Sequence, residues 1–225
     1  MRTALLACLV VLAACAAPAD PSPPDPEVGP APTPIVPPTG PRDETSREAD
    51  RLEASETLTS CAGAPGSLYA LAPMRLGQTA PFPLCKLAKR VLFIVNVASQ
   101  CGSTGQYTPM QALHDRYAKQ GFAVLGFPSK TFAQELDTDA DVSEFCTTQY
   151  KITFPMFTIG NVNAPDEQPV YSWLKSQPGQ SADIGWNFEK FLIARDGTIA
   201  ARFLTATEPD APEVVAAIEA ELAKP

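Results

Sequence analysis

The sequence predicts an α/β fold in which a central mixed sheet is flanked by helices. Two apolar runs rich in β-branched residues, VLFIVNVA at 91–98 and FAVLGFP at 122–128, are typical of strands buried on both faces. Between them, TPMQALHDRYAKQG places Met110, Leu113 and Tyr117 on one face and ends in glycine, which predicts an amphipathic helix. A strand, a helix and a second strand in this order predict a parallel pair.

Two further elements follow this unit along the chain. The segment DADVSEFCTTQY predicts a helix with Val142, Phe145 and Cys146 facing inward. The segment FPMFTI predicts a third strand, and Pro155 favours the edge of the sheet or the start of the strand, because it lacks an N–H for the ladder.

The C-terminal part of the chain predicts a hairpin and a helix. FEKFLIA and IAARFL flank RDGT, which predicts two antiparallel strands that turn at Asp196 and Gly197. A final helix is expected from about Ala211 to Ala223. Parallel strands followed by a hairpin and a helix predict a thioredoxin-like fold, which we assign to residues 61–225.

The charge of the chain excludes one class of partner. The 225 residues carry a net charge of -8, and Lys and Arg do not cluster along the sequence. Such a chain repels phosphate backbones. We therefore do not expect nucleic acid as a partner.

The N-terminal segment predicts export. Residues 1–14 combine a basic residue with a short apolar stretch, which is typical of a secretion signal and too short for a stable membrane span. The tetrapeptide LAAC, ending at Cys15, resembles the lipobox of bacterial lipoproteins and would make Cys15 the acylated first residue of a membrane-anchored protein. A simple cleaved signal, with small residues near Ala16 and Ala17, is the alternative. Residues 15–60 are Pro-rich and charged, which predicts a mostly disordered linker. Such a linker would hold the domain away from the membrane, and the anchored protein would face the periplasm or the cell surface.

Cys101 is the candidate nucleophile of the domain. It lies just beyond the carboxyl end of a predicted central strand and shortly before a helix, where open α/β sheets place their sites. The thiolate is the reactive form of cysteine, so a reactive thiol needs donors or a positive potential nearby. A buried structural thiol is the alternative for this position.

Three motifs resemble the glutathione peroxidase family, from about Ser67 to the C-terminus. They are VNVASQCGSTGQY, LGFPSKTFAQE and WNFEKFL, in family order and at family-like intervals. The resemblance implies that Cys101 is the peroxidatic residue and that Gln134, Trp186 and Asn187 complete the catalytic tetrad. An indole N–H and two amides are neutral donors suited to a thiolate and a developing alkoxide. The loop before Gln134 is one residue shorter than the common family pattern.

The resemblance also implies how the oxidised cysteine is recovered. A sulfenic acid over-oxidises unless a thiol intercepts it. Cys146 matches the resolving cysteine of the thioredoxin-dependent members, although it also fits a structural role on the inward face of its helix. Its helix would then unwind locally, since a disulfide needs Cα atoms within about 7 Å. A thioredoxin-like reductant is expected, with glutathione as the alternative.

The remaining expectations concern pairing and cofactors. Cys61 and Cys85 flank the segment that enters the domain, and in an oxidising compartment we expect them to form a structural disulfide rather than remain free thiols. His114, the only histidine, is interpreted as a surface or helix-packing residue, so we expect neither a metal site nor another cofactor. We expect a monomer with peroxide as substrate.

Two other functions share these sequence features. A thiol-disulfide exchange protein would suit the compartment, but Thr104 stands where such a protein carries the second cysteine of a Cys-x-x-Cys pair. A non-catalytic surface module that retains the fold is the third hypothesis. It would require Trp186 and Asn187 to lie far from Cys101.

Overall fold

The computed structural model describes residues 63–225. The predicted signal segment 1–14, the predicted linker 15–60 with the proposed acylation site Cys15, and Cys61 lie outside these described residues.

A four-stranded mixed sheet with strand order β2-β1-β3-β4 forms the centre of the described domain. Strands β1 and β2 pair in parallel, whereas β3 runs antiparallel to both β1 and β4. The strands are β1 (Val91–Val97), β2 (Phe122–Pro128), β3 (Lys190–Ile193) and β4 (Ile199–Phe203). This sheet confirms the predicted parallel pair and the predicted hairpin, whose turn has Gly197 at φ 88°.

Helices cover the sheet and follow the predicted order. They are α1 (Tyr107–Tyr117), α2 (Asp139–Gln149), α3 (Pro169–Ser176) and α4 (Pro212–Leu222). Met110, Leu113 and Tyr117 are buried as expected from their spacing in α1. The chain leaves this region through Gly121 at φ 85°, a left-handed conformation that glycine adopts without steric cost.

Two details differ from the expectations. FPMFTI does not form a regular strand: it makes a single parallel bridge, Gly126 to Met156, outside the edge strand β2. Pro155 contributes a carbonyl to Gly126 N–H but has no N–H to return, so the ladder stays short. Helix α3 was not expected; Pro169 in its first turn and the buried face of Val170, Tyr171 and Leu174 account for it.

The core has two parts that lie on opposite faces of the sheet. Side chains of β1 alternate between them: Phe93 and Val95 join the cluster that packs against α1, α2 and α4, while Leu92 and Ile94 join the cluster that packs against α3. Cys101 and Cys146 both belong to the first cluster. Among residues 63–225, no helix has the length and apolar character that crossing a membrane requires.

Candidate active site

Cys101 lies in the connection from β1 to α1, where the sequence placed it. It is a free cysteine with 9% of its surface exposed. The Ser103 N–H donates to Cys101 Sγ at 3.4 Å, within reach for a bond to sulfur. The Thr104 hydroxyl accepts from Cys101 N–H at 3.0 Å and lies 2.6 Å from the Cys101 carbonyl oxygen. These contacts fix the turn and direct a donor at the sulfur.

The WNF segment is attached to the carboxyl end of β1 through Asn96. The side chain of Asn96 is fully buried, and its amide donates to the Trp186 carbonyl at 3.0 Å while its carbonyl accepts from Glu189 N–H at 3.0 Å. The Asn96 main-chain carbonyl accepts from Phe188 N–H at 2.6 Å. Because these three bonds surround one residue, the turn at Phe188, with φ 61°, is held beside the strand that leads to Cys101.

Gln134 and Asn187 contact each other directly beside this turn. Asn187 Nδ2 donates to Gln134 Oε1 at 2.9 Å, and Asn187 is fully buried. The Gln134 main-chain carbonyl accepts from the N–H of Gln100, the residue before Cys101, at 2.9 Å. The shortened loop therefore still brings Gln134 next to the nucleophile, with Ala133 in the left-handed region at φ 53°.

Trp186 lies at the surface of the site. Its side chain is 44% exposed, and its ring packs on Phe132 with the centroids 5.1 Å apart. The hydrogen bond to Cys101 Sγ comes from Ser103 rather than from the indole. The structure thus joins Gln134 and Asn187 as a pair, and Trp186 directly precedes Asn187 in the chain.

Cys146 is a second free cysteine, and its environment keeps it protonated. It is 2% exposed on α2, and burial raises the pKa of its thiol to about 11. The nearby Tyr107 hydroxyl acts in the opposite direction on that pKa, and Glu135 raises it slightly further. At neutral pH the thiolate fraction at a pKa of 11 is on the order of 10⁻⁴, so Cys146 is a weak nucleophile while its helix is intact.

Some residues at the site were not singled out from the sequence. Glu135 is buried, and its Oε1 accepts from Ser99 N–H at 3.0 Å and Leu136 N–H at 2.9 Å, which closes the loop around Gln134. Burial raises the pKa of Glu135, although these hydrogen bonds act against the shift. An amide inside an apolar strand is the sequence feature that could identify Asn96 as a site residue. No feature of the sequence distinguishes Glu135 in this way.

Ser129 and Cys85 are the two remaining described positions that bear on the cysteine chemistry. Ser129 takes the place of a cysteine in the common Phe-Pro-Cys pattern; it is fully buried, and its hydroxyl lies 3.1 Å from that of Thr131. Cys85 is disulfide-bonded, but its predicted partner Cys61 lies outside the described residues, so that pairing stays a prediction. Within residues 63–225, no group of three or more His, Cys, Asp or Glu residues could hold a metal ion.

Known proteins share both the motifs and the fold of this site. The family model described as glutathione peroxidase matches residues 68–175. The glutathione peroxidase-like peroxiredoxin HYR1 of Saccharomyces cerevisiae is 43% identical over 146 residues, which cover 63% of this chain and 88% of that relative. The chain belongs to the glutathione peroxidase family.

Two further similar proteins match the same part of this chain, one in sequence and one in structure. The hydroperoxy fatty acid reductase gpx1 of Synechocystis sp. is 41% identical over 148 residues, covering 62% of this chain and 86% of that protein. The crystal structure of Trgpx in apo form covers 71% of this chain and 97% of its own, with 32% identity and a TM-score of 0.57. Family membership confirms the thioredoxin-like fold and identifies the chain as a peroxidase.

Proposed function

We propose that this protein is a thiol peroxidase in which Cys101 attacks hydroperoxides and Cys146 recovers it through an intramolecular disulfide. The observation that carries this proposal is the Gln134–Asn187 amide pair, which is hydrogen-bonded at 2.9 Å and linked through Gln100 to the chain at Cys101. Amide groups beside a thiol supply hydrogen-bond donors without a competing base. Such donors can stabilise the charge that moves from sulfur to oxygen in the reaction.

The first step of the proposed cycle is a two-electron oxidation. The Cys101 thiolate attacks one peroxide oxygen, the O–O bond breaks, and an S–O bond forms. The leaving alkoxide takes a proton and departs as alcohol or water, which leaves a sulfenic acid on Cys101. Asn187 Nδ2 uses one hydrogen for Gln134, so its second hydrogen and the Gln134 amide hydrogens are the donors we assign to the departing oxygen.

The second step is capture of the sulfenic acid by Cys146. The Cys146 thiolate attacks Cys101 sulfur, an S–S bond forms, and the hydroxyl leaves as water. Both residues belong to one apolar cluster, which supports an encounter after a local change of structure. Because burial raises the pKa of Cys146 to about 11, exposure of the thiol by unwinding of α2 would also restore its nucleophilicity.

A thioredoxin-like dithiol is the proposed reductant. A dithiol supplies the two electrons that reopen the Cys101–Cys146 disulfide, whereas glutathione would act most directly on the sulfenic acid. Turnover with a thioredoxin system but not with glutathione is the expected result. Equal turnover of wild type and Cys146→Ser with glutathione would instead support a cycle with one protein thiol.

Organic hydroperoxides are included among the proposed substrates. Among residues 63–225, two large apolar side chains are exposed, Trp186 at 44% and Leu204 at 62%, and Trp186 packs on Phe132 next to the amide pair. A related protein carries the name hydroperoxy fatty acid reductase. A lower KM for a fatty-acid hydroperoxide than for hydrogen peroxide is expected, and Trp186→Ala should raise the KM for the fatty-acid hydroperoxide more than the KM for hydrogen peroxide.

Export and anchoring through Cys15 form a separate proposal. It rests on the signal-like residues 1–14 and on the linker composition. Mass analysis of the N-terminal peptide from membrane fractions should find an acylated Cys15. A mature N-terminus after Ala16 or Ala17, without acyl groups, would replace this proposal with simple secretion.

The peroxidase proposal is tested by steady-state turnover of wild type and Cys101→Ser. Because serine preserves size but cannot form a sulfenic acid, the variant should lose at least about 10³-fold in activity. Cys146→Ser should retain one rapid reaction with peroxide and lose continued turnover with the thioredoxin system. Unchanged turnover in Cys101→Ser would overturn the proposal.

A further inference from the structure

We propose that Lys190 is a positioning residue for the peroxidase reaction: it holds the loop Leu204–Thr207, and this loop fixes Asn187 beside Gln134. The inference builds on the role given to the amide pair in the proposed function. Lys190 itself lies at the start of β3 and touches none of the reacting atoms. Its action is carried by hydrogen bonds through the main chain of the loop.

The surroundings of the Lys190 ammonium group are unusual for a lysine. The residue is fully buried, and its Nζ donates to the carbonyl oxygens of Thr207 at 2.6 Å, Thr205 at 3.3 Å and Leu204 at 3.4 Å. Three N–H bonds thus meet three carbonyl groups of one short loop. A buried lysine is costly unless its donors are satisfied, so this geometry ties the loop to the strand.

The loop held by Lys190 reaches the site through two contacts of Thr205. The Thr205 hydroxyl donates to the Asn187 carbonyl at 2.7 Å. The Thr205 carbonyl accepts from Gln106 Nε2 at 2.9 Å, and Gln106 stands in the turn that follows Cys101. One threonine therefore connects the ammonium group to the residue that bears the amide and to the segment that bears the nucleophile.

The charged groups around Lys190 are few. Glu189 is paired with Arg202 at 2.7 Å on the neighbouring strand, and the Glu208 carboxylate lies 3.4 Å from Gln106 Nε2. Within residues 63–225, no carboxylate stands within ion-pair distance of Lys190 Nζ. Burial lowers the pKa of Lys190 to about 8, while Glu208 and Glu189 act against this shift.

Loss of the proton changes what the amine can do. A neutral amine has two N–H donors and one lone pair, so it leaves one of the three carbonyl groups without a donor. The loop then loosens, and the Asn187 amide loses its fixed position. Activity should consequently fall as the pH rises through about 8, the pKa of Lys190.

Stability should change in the opposite direction over the same pH range. The pKa of Lys190 is lowered in the folded protein to about 8 from the ordinary 10.5, so the unfolded chain binds more protons between these values. The contribution of this group to the free energy of unfolding therefore increases with pH there. A purely structural role would make activity and stability fall together.

The test is the rate constant for oxidation of Cys101 by hydrogen peroxide, measured in single turnover from pH 6 to 10. Lys190→Met should react about tenfold more slowly than wild type at pH 7, because the amide is no longer fixed. The ratio of the wild-type to the variant rate constant should fall as the pH rises through about 8, where wild type loses the proton from Lys190 and one of its three donors. Dividing the two rate constants removes the pH effects that both proteins share.

Matched variants separate positioning from general loss of structure. Lys175 is also a largely buried lysine, bonded to Asp183 at 2.7 Å, but it lies on α3. Lys175→Met should lower the thermal midpoint and leave the peroxide rate constant unchanged. Thr205→Val, which keeps Lys190 but removes the hydroxyl that bonds the Asn187 carbonyl, should slow the reaction and weaken the alkaline decline.

Three outcomes would overturn the inference. They are a wild-type rate and pH profile in Lys190→Met, a wild-type rate in Thr205→Val, or a loss in Lys175→Met as large as that in Lys190→Met. The side-chain amide signal of Asn187 in the NMR spectrum provides a readout independent of turnover, and it should shift in Lys190→Met. Failure of wild type to react with peroxide would instead contradict the proposed function.

Discussion

At the scale of single residues, the two free cysteines among residues 63–225 have different surroundings. Cys101 has a main-chain N–H at 3.4 Å from its sulfur and polar neighbours. Cys146 is 2% exposed in an apolar cluster, where burial raises its thiol pKa to about 11. The side chains are chemically identical, so the different roles that we propose for Cys101 and Cys146 follow from their positions in the fold.

The surroundings of His114 predict how the free energy of unfolding depends on pH. Its Nδ1 accepts from Val124 N–H at 3.3 Å on the edge strand β2, which requires the unprotonated nitrogen. Burial lowers the pKa of His114; Asp115 raises it and Arg90 lowers it further. The folded state therefore binds this proton less readily than the unfolded chain does.

The sign of the pH effect follows from that difference. Stability from His114 is complete above the unfolded pKa of about 6.5 and is lost as the pH falls below it, because the unfolded chain takes up the proton first. Urea unfolding at pH 7.5 and 5.5 should give a smaller free energy at the lower pH. In His114→Gln this part of the pH dependence should disappear; an equal dependence in both proteins would contradict the assignment.

At the scale of elements, few side chains attach α2, the helix that carries the proposed resolving residue, to the core. Only Val142 and Cys146 are buried along its described length. The helix closes with Ile152 N–H on the Cys146 carbonyl at 3.1 Å, through Lys151 in the left-handed region at φ 56°. A residue with a Cβ is strained there, and glycine is the usual occupant. Low local stability suits an element that we propose to unwind.

Lys151→Gly tests the link between this helix end and recovery of Cys101. Glycine relieves the strain, and we expect a gain of up to about 1 kcal/mol in the free energy of unfolding. If unwinding precedes disulfide formation, that gain should slow the appearance of the Cys101–Cys146 bond about fivefold. The measurement is stopped-flow mixing with peroxide followed by acid quench.

Lys151→Ala is the matched control for this prediction. It also loses the contact of Lys151 Nζ with the Thr148 carbonyl at 2.8 Å but keeps the strained conformation. It should form the disulfide at the wild-type rate or faster. Slower disulfide formation in both variants would contradict the link between backbone strain at Lys151 and the unwinding of α2.

At the scale of the whole molecule, the strands and helices that the sequence predicts are those with a recognisable pattern in a short stretch of residues. Apolar runs predict β1 and β2, and the Asp196-Gly197 turn predicts the hairpin. The predicted third strand is reduced to a bridge at Met156 because Pro155 has no N–H with which to extend the ladder. The length of a strand thus depends on the pairing that each of its residues can make, which an apolar run alone does not show.

The residues of the candidate site also differ in whether a local sequence pattern reveals them. Cys101, Gln134, Trp186 and Asn187 stand in recognisable motifs, and the structure brings Gln134 and Asn187 into contact. Glu135 and Lys190 make hydrogen bonds to distant main-chain groups, which spacing in the sequence does not reveal. Sequence reasoning therefore named the candidate reacting groups and missed the residues that we propose hold them.

The disulfide of Cys85 supplies a prediction for the stability of the whole domain. We expect Cys61 as its partner, which closes a loop of about 25 residues worth roughly 3 kcal/mol. Non-reducing peptide mapping should recover the Cys61–Cys85 pair. Cys85→Ser and the double variant Cys61→Ser/Cys85→Ser should lose the same free energy of unfolding. A larger loss in the double variant, or Cys85 paired elsewhere, would contradict this pairing.

The central claim is that peroxide oxidises Cys101 and that Cys146 captures the product. Intact-mass analysis and peptide mapping after one equivalent of hydrogen peroxide test it most directly. Wild type should lose two hydrogen atoms and yield a Cys101–Cys146 peptide, while Cys146→Ser should gain one oxygen atom on Cys101. A wild-type protein whose Cys101 remains a reduced thiol after this treatment, or an oxygen atom found on Cys146 instead, would contradict the account.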